Sequence, residues 1–434
     1  MPLHRVRWVP RLLTSKSLTI MGKFIGYRCS LCHANYEPDE LTYTCPKDGG
    51  NLDILLDYQN IVRNLNPLDI QKSTEHSLWR YLPLLPVDDP GGVDTPFRAA
   101  GFTPTYNVHQ LADKLGLNSL WVKDESRNPT ASFKDRASAV VIAKAQELQA
   151  NVVVTASTGN AGAALAGMAA AVGQKAIIFA PRNAPQAKVA QLLIYGATVF
   201  LVDGTYDEAF DLSVQAAKEF GWYCRNTGYN PFTAEGKKTA AFEIWEWLGK
   251  TQLSTKSPVS IFIPVGDGNI ISGVHKGFKD LIQLGWLSQM PRLFGIQSEG
   301  SAAIANAYFS GTEQISPVHA HTLADSISVD LPRDGVRAIR AARDTNGGYL
   351  LVSDGEILAA VEQLGSVGIF AEPAGATAYA GLVKAIDSEV IKADDPVLVL
   401  NTGSGLKDID AAMKAVKEPA IIEPSLNALR KLIR

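Results

Sequence analysis

The string Asn-Pro-Thr-Ala-Ser-Phe-Lys-Asp-Arg, residues 128–136, puts Lys134 where a breaker-rich stretch gives way to a helical pattern. An amine at a helix start faces unpaired backbone N–H groups that carry partial positive charge, which favours its neutral form. A neutral amine can attack a carbonyl and form a Schiff base. A lysine flanked by Asp135 and Arg136 is also an ordinary surface pattern, so this string does not decide the matter alone.

Other segments supply companions. Ser157, Thr158, Gly159 and Asn160 open a small-residue helix after the apolar run ending near Val154, gathering hydroxyls, an amide and free N–H groups at a helix N-terminus. Such a turn receives a carboxylate, and Asn160 can also donate to a phenolic oxygen. A capped strand–helix turn with Ala and Gly for close packing reads the same way. Gly266, Asp267, Gly268, Asn269 and Ile270 follow the run Ser260–Val265, and glycines there let successive N–H groups surround a phosphate. The turn lacks the Lys-Ser/Thr ending of a nucleoside-triphosphate loop, and Asp267 must turn away from a dianion, for instance to cap the following helix. Thr402 follows the run 397–400 at its carboxyl end, where its hydroxyl can meet a ring nitrogen without holding it protonated as an Asp would. Glu372, before a Pro-Ala-Gly turn, reads as a proton-relay carboxylate or as a plain helix-start residue. The amine, carboxylate receptor, phosphate turn and ring-nitrogen partner suit one cofactor and its amino-acid adduct, pyridoxal phosphate.

The elements that must hold these groups are legible as an alternation. Short β-branched runs at 151–156, 175–180, 197–202, 260–265, 292–297 and 396–402 are each followed by a Gly/Ser/Asn/Asp turn and a helical pattern. This predicts an α/β fold with parallel sheets and helices on both faces, in which ligands gather at the carboxyl ends of strands. The charged, breaker-rich stretch 250–258 is the expected boundary between two such units. Residues 59–100, with Pro67, Pro83, Pro86, Pro90 and Pro96, read as irregular. Residues 1–20 carry Arg5, Arg7, Arg11 and Lys16 and no acid; they read as a targeting segment or as an extension from an upstream start, with Met21 opening the next module.

In a chain of 434 residues, 41 basic residues nearly balance 44 acidic ones, so no global field draws it to nucleic acid or anionic membrane. No apolar run approaches the roughly 18 residues of a membrane span. Four cysteines are too few for a disulfide scaffold at this length, which points to a reducing compartment. Three of them, Cys29, Cys32 and Cys45, lie with Asp48 in two paired-knuckle halves, the layout of a zinc ribbon. The three thiols and an Asp oxygen can hold zinc, and a decayed site fits equally well. His33 reads as a solvated neighbour, and Cys224 as a small buried hydrophobe.

The segments 128–136, 157–166, 372–378 and 402–408 resemble the four signature segments of the threonine synthase family, in the tryptophan-synthase-β group of pyridoxal-phosphate enzymes, and the resemblance runs from about Thr103 to Ala415. It implies two doubly wound three-layer α/β domains of fold-type II with a small N-terminal degenerate zinc-ribbon-like module. The expected division is 1–20 extension, 21–58 ribbon, 59–135 with 251–434 large cofactor-binding domain, and 136–250 small domain carrying the Ser-Thr-Gly-Asn loop. By motif, Lys134 would be the Schiff-base lysine, Asn160 the partner of the phenolic oxygen, and Gly266 to Ile270 the phosphate receptor. Ser157, Thr158 and Gly159 would take the substrate carboxylate, and Thr402 the ring nitrogen. Lys188, Asn230 and Lys238, with Arg136 as a further option, are candidates for a substrate phosphate. The implied reaction turns O-phosphohomoserine and water into threonine and phosphate in a cytoplasmic homodimer. Cysteate synthase-type and serine/threonine dehydratase-type reactions are the nearest alternatives, and a non-catalytic amino-acid or cofactor sensor is an alternative of another class. Two departures bear on the substrate: Asp267 stands where the family usually has a small residue, and Ala324–Gly335 replaces its familiar Ile-Gly-Asn-Pro ending with an acidic, proline-containing one.

Overall fold

The computed structural model describes residues 22–182, 184, 186–251 and 257–433. The extension expected over 1–20, and residues 252–256 of the expected boundary stretch, lie outside the described residues.

Three sheets organise the chain. A small antiparallel sheet of order β2-β1-β3 is formed by β1 (Phe24–Cys29), β2 (Asn35–Tyr36) and β3 (Leu52–Leu56). In β3, Leu52, Ile54 and Leu56 are buried while Asp53 and Leu55 are half-buried, the alternation of a strand covered mainly on one side. A second sheet holds β4 (Thr105–Asn107), β5 (Leu120–Asp124), β10 (Ser260–Pro264), β11 (Arg292–Ser298), β12 (Gly348–Val352) and β13 (Val397–Asn401), in the order β12-β11-β10-β13-β5-β4. All its pairings are parallel except β4 on β5. A third, parallel sheet runs β8-β7-β6-β9, from β6 (Val152–Ala156), β7 (Lys175–Pro181), β8 (Thr198–Val202) and β9 (Tyr223–Cys224). Strands β5, β10 and β13 are buried at every position, as a parallel sheet covered on both faces requires.

The strand orders fix where a ligand can lie. In the second sheet the chain steps from β10 to β11 on one side, while β13 returns to β10's other flank. In the third it goes from β6 outward to β8 and returns to β6 with β9. Each reversal leaves a crevice at the strands' carboxyl ends, where side chains and helix N-termini can meet a small molecule.

All six expected runs are strands, β6, β7, β8, β10, β11 and β13. Others were not legible: β5 carries the charges of Lys123 and Asp124, and β4 and β9 are only three and two residues long. Residues 59–100 are not uniformly irregular as expected. They contribute to helices at Tyr58–Asn64 and Pro67–Gln71 and to 3-10 turns at Leu78–Leu84 and Pro96–Ala99. Reciprocal capping between Asn66 and Asp69, with Pro67 at the first helical position, starts the second helix.

The helix bearing Lys134, Lys134–Glu147, packs on helix Phe232–Lys250. A Cβ on Gly236 would lie 2.1 Å from the Arg136 carbonyl oxygen, so glycine is what lets the two backbones touch. Arg136 also binds Glu125 at 2.7 Å and Glu243 at 2.5 Å, and Lys123 binds Glu243 at 2.7 Å, all buried. This network ties the end of β5 to both helices, and removing one partner from such a buried set typically costs about 3–5 kcal/mol. No described helix is long and apolar enough to cross a membrane.

Candidate active site

A cavity of about 770 Å³ opens at the carboxyl ends of β6, β9, β10 and β13. It brings together Lys134, Ser157, Thr158, Gly159, Asn160, Gly266, Asp267, Gly268, Asn269, Ile270, Glu372 and Thr402. These residues are drawn from segments more than 260 positions apart, and the hydrogen bonds between the turns explain their convergence. The Phe133 N–H donates to the Thr402 carbonyl at 2.9 Å, Ser404 N–H to Ala131 at 3.1 Å, and Glu372 N–H to Gly403 at 3.0 Å.

Lys134 is the first residue of its helix. Its amine is lowered from 10.5 to about 8, first by burial and then by the Arg225 charge, against the pull of Asp267 and Glu372. Removal from water is the first cause of this lowering. Beside it, Asp135 accepts from the Thr130 backbone N–H at 2.6 Å and from the Thr130 hydroxyl, folding the loop back on the helix start. Burial raises the Asp135 carboxyl to about 6.

Asn160 begins helix Asn160–Ala171, and its Nδ2 donates to Glu372 Oε1 at 2.6 Å. Glu372 is buried, and that burial raises its carboxyl to about 7 against opposing pulls from Lys407 and Asn160. A Cβ at position 403 would fall 2.2 Å from Glu372 Oε1, so Gly403 leaves the space this carboxylate occupies. On the glycine turn, Gly268 has φ +87°, and an added Cβ would lie 2.7 Å from the Asp334 carbonyl oxygen. Asp267 does turn aside, but Oδ1 accepts from the Arg333 backbone N–H at 2.8 Å instead of capping the following helix.

Two cations in this cavity were missed by sequence. Lys237 Nζ donates to Asn269 Oδ1 at 2.5 Å, and its amine is driven well below the usual lysine value by burial and by Lys134 and Arg225. Arg225, lowered to about 10 chiefly by burial, donates to Thr227 Oγ1 at 2.7 Å and leaves Nη2 buried with no hydrogen-bond partner among the described residues. Neither makes an ion pair among the described residues. Uncompensated buried cations are costly unless an anion completes them. In sequence, Lys237 is masked by its neighbour Lys238, and Arg225 lies in the unremarkable string Trp-Tyr-Cys-Arg-Asn.

Three candidates for a substrate phosphate lie outside the cavity. Lys238 is buried in ion pairs with Glu235 at 2.5 Å and Asp280 at 2.8 Å, because one helical step from Lys237 turns it toward helix Asn269–Gln283. The Asn230 side chain donates to the Cys224 carbonyl at 2.8 Å and accepts from Phe232 N–H at 2.9 Å, holding the turn before a helix. Arg136 is consumed by Glu125 and Glu243. Lys188, by contrast, lines an adjoining cavity of about 300 Å³ with Thr158, Gly159, Asn160, Glu372 and Lys407, and it pairs there with Asp325. The acidic stretch 324–335 thus forms part of the cavity walls, with Ser326 Oγ 3.4 Å from Asn160 Nδ2.

The arrangement fits pyridoxal phosphate: an amine of lowered pKa, a glycine turn at a helix N-terminus, and buried cations awaiting an anion. Residues 97–403 match the family model described as pyridoxal-phosphate dependent enzyme. A threonine synthase of Methanocaldococcus jannaschii is 38% identical over 410 residues, which span 94% of this chain and 99% of the relative. The chain belongs to the threonine synthase family of pyridoxal-phosphate-dependent enzymes. A second member, from Synechocystis, is 38% identical over 344 residues, 77% of this chain and 85% of its own. Among solved structures, threonine deaminase isoform 2 from Solanum lycopersicum has a TM-score of 0.63 at 24% identity, covering 78% of this chain and 92% of its own. Diaminopropionate ammonia lyase from Escherichia coli also reaches 0.63, at 21% identity, covering 72% and 87%. At these identities they establish the shared fold. The threonine synthase relatives speak to activity.

Proposed function

We propose that this threonine synthase family member converts O-phospho-L-homoserine and water into L-threonine and phosphate. The observation that carries the reading is the pairing of Lys134 with two cationic positions. Arg225 and Lys237 lie in its own cavity, and Lys188 and Lys407 in the adjoining one. A phosphorylated substrate beside a phosphorylated cofactor needs two anion sites.

When bound, pyridoxal phosphate supplies an aldehyde that links covalently to an amine and a ring that takes up the electrons of a broken Cα–H bond. In this reading Lys134 is the linking amine. With a pKa near 8 it is neutral in appreciable fraction at ordinary pH, so it can accept the Cα proton and then serve the adjacent Cβ from the same position. The N–H groups and hydroxyls of Ser157, Thr158 and Gly159 hold the substrate carboxylate at a helix N-terminus. Asn160, oriented by Glu372, would hold the phenolic oxygen, and the Thr402 hydroxyl would serve the ring nitrogen. The turn from Gly266 to Ile270, with Lys237 and Arg225, would hold the cofactor phosphate. Lys188 and Lys407 receive the phosphate that leaves.

The proposal extends to a cofactor-holding unit of residues 59–135 with 251–434, a substrate-loop unit of 136–250, and a homodimer working in the cytoplasm. The test is to supply O-phosphohomoserine to the cofactor-loaded enzyme and measure both products. Phosphate and threonine in equal amounts are expected. Phosphate without threonine, or turnover of O-phosphoserine with sulfite alone, would sink the assignment.

A further inference from the structure

The small amino-terminal sheet contains a second constellation remote in function from the cavity. The ligand atoms of Cys29, Cys32, Cys45 and Asp48 all lie within 4.8 Å of one another, and all four cysteines of the chain are free thiols. We infer that these four residues form a tetrahedral site for one divalent zinc ion, with three thiolates and one carboxylate oxygen as ligands.

The spacings carry the argument. With Zn–S near 2.3 Å and Zn–O near 2.1 Å, tetrahedral angles put two sulfurs about 3.8 Å apart and a sulfur and an oxygen about 3.6 Å apart. The Cys32 and Cys45 sulfurs are 3.7 Å apart, and Cys29 Sγ stands 3.3 Å and 3.6 Å from the two Asp48 oxygens. The 3.7 Å sulfur separation is far from the roughly 2.05 Å of a disulfide.

The surroundings are those of a ligand cage. Leu31 N–H donates to Cys29 Sγ at 3.3 Å, the Tyr36 hydroxyl lies 3.1 Å from Cys45 Sγ, and Gly50 N–H donates to Asp48 Oδ1 at 2.9 Å. Such outer contacts orient metal ligands and stabilise their charge. The backbone is folded for the purpose as well. Cys45 N–H donates to the Gly50 carbonyl and Gly49 N–H to the Cys45 carbonyl, both at 2.9 Å. A Cβ on Gly50 would fall 2.8 Å from Cys29 Sγ and 3.0 Å from Asp48 Oδ1, so only glycine lets the loop close over the cluster. Cys29 and Cys45 are buried while Cys32 and Asp48 are exposed, which gives an ion a way in. Binding releases the thiol protons to solvent and changes no oxidation state.

The site also has a structural outlet. Asn51, next to Gly50, donates to the Gly228 and Arg333 carbonyls at 2.5 and 3.0 Å, and Arg340 donates to the Ser30 carbonyl at 2.5 Å. A filled site therefore pins the ribbon against the segment whose Arg333 N–H holds Asp267.

The test uses the full chain, reduced and passed over a chelating resin, then reconstituted with zinc chloride or cobalt chloride alone. One tightly held zinc per chain is expected, with an intense tetrahedral thiolate–cobalt spectrum in the cobalt form. Cys32→Ser, at an exposed position, weakens zinc binding at least about tenfold, whereas Asp48→Cys keeps the ion and strengthens the sulfur-to-cobalt absorption. No retained zinc, zinc that is indifferent to Cys32→Ser, or a Cys32–Cys45 disulfide in the chain as isolated, before any reductant is added, would each overturn the site.

Discussion

Glu372→Gln in the cofactor-free chain should remove a pH dependence of stability that the fold imposes. Burial raises the Glu372 carboxyl from 4.5 to about 7, with Lys407, Asn160, Lys188 and Lys134 pulling the other way. Between those values the folded chain still holds a proton that the unfolded chain has released, so stability falls as pH rises through this window. The contribution is favourable below the unfolded value and fully lost above about 7. The gap between 4.5 and about 7, at about 1.4 kcal/mol per pH unit, amounts to about 3.5 kcal/mol. Glutamine keeps an oxygen for Asn160 Nδ2, carries no titrating proton, and should be more stable than the parent by up to that amount at pH near 8. The assay is urea unfolding followed by tryptophan fluorescence, for both proteins, from about pH 5 to about pH 8. Asp135, raised to about 6, and His275, pushed down to about 3 by burial, titrate in both proteins, so the difference isolates Glu372. An identical slope in parent and variant would refute the reasoning, because the buried carboxyl would then not be the group that titrates.

Lys134→Ala should abolish turnover and leave no borohydride-trapped cofactor adduct by mass spectrometry; an adduct on another lysine would displace Lys134 from its role. Lys237→Met removes one of the two basic side chains offered to the cofactor phosphate, and losing a charge-assisted hydrogen bond to that phosphate, about 1.5–3 kcal/mol, predicts cofactor retention weaker by about 10- to 100-fold in equilibrium dialysis. Gly403→Ala drives a Cβ to 2.2 Å from Glu372 Oε1, and such overpacking should cost about 1–3 kcal/mol, read as a lower Tm of the cofactor-free chain.

Much of this site was legible because its parts are local. A glycine turn after a β-branched run, a hydroxyl-rich helix start and a lysine before a helical pattern each fit in fewer than ten residues, and the strand–turn–helix alternation says that such turns lie at one edge of a sheet. What local pattern cannot supply is the direction in which a side chain on a continuous helix points, or the partner it meets there. Lys237 and Lys238 are adjacent, and only the packing of helix Phe232–Lys250 against its neighbours sends one into the cavity and the other onto Glu235 and Asp280.

The sequence by itself determined the alternating α/β architecture, the turns that carry Lys134, Asn160, Gly266 to Ile270 and Thr402, and a cysteine spacing suited to a ribbon, because these rest on residue type and short-range spacing. Tertiary structure alone decided how deeply Lys134 and Glu372 are buried, and that burial is the first cause of both shifts. It also decided that Arg225 and Lys237 make no ion pair among the described residues, and that the ligand atoms of Cys29, Cys32, Cys45 and Asp48 come within 4.8 Å of one another. Desolvation and charge pairing depend on what surrounds a group in three dimensions, and chains folded across more than 260 positions bring those surroundings together.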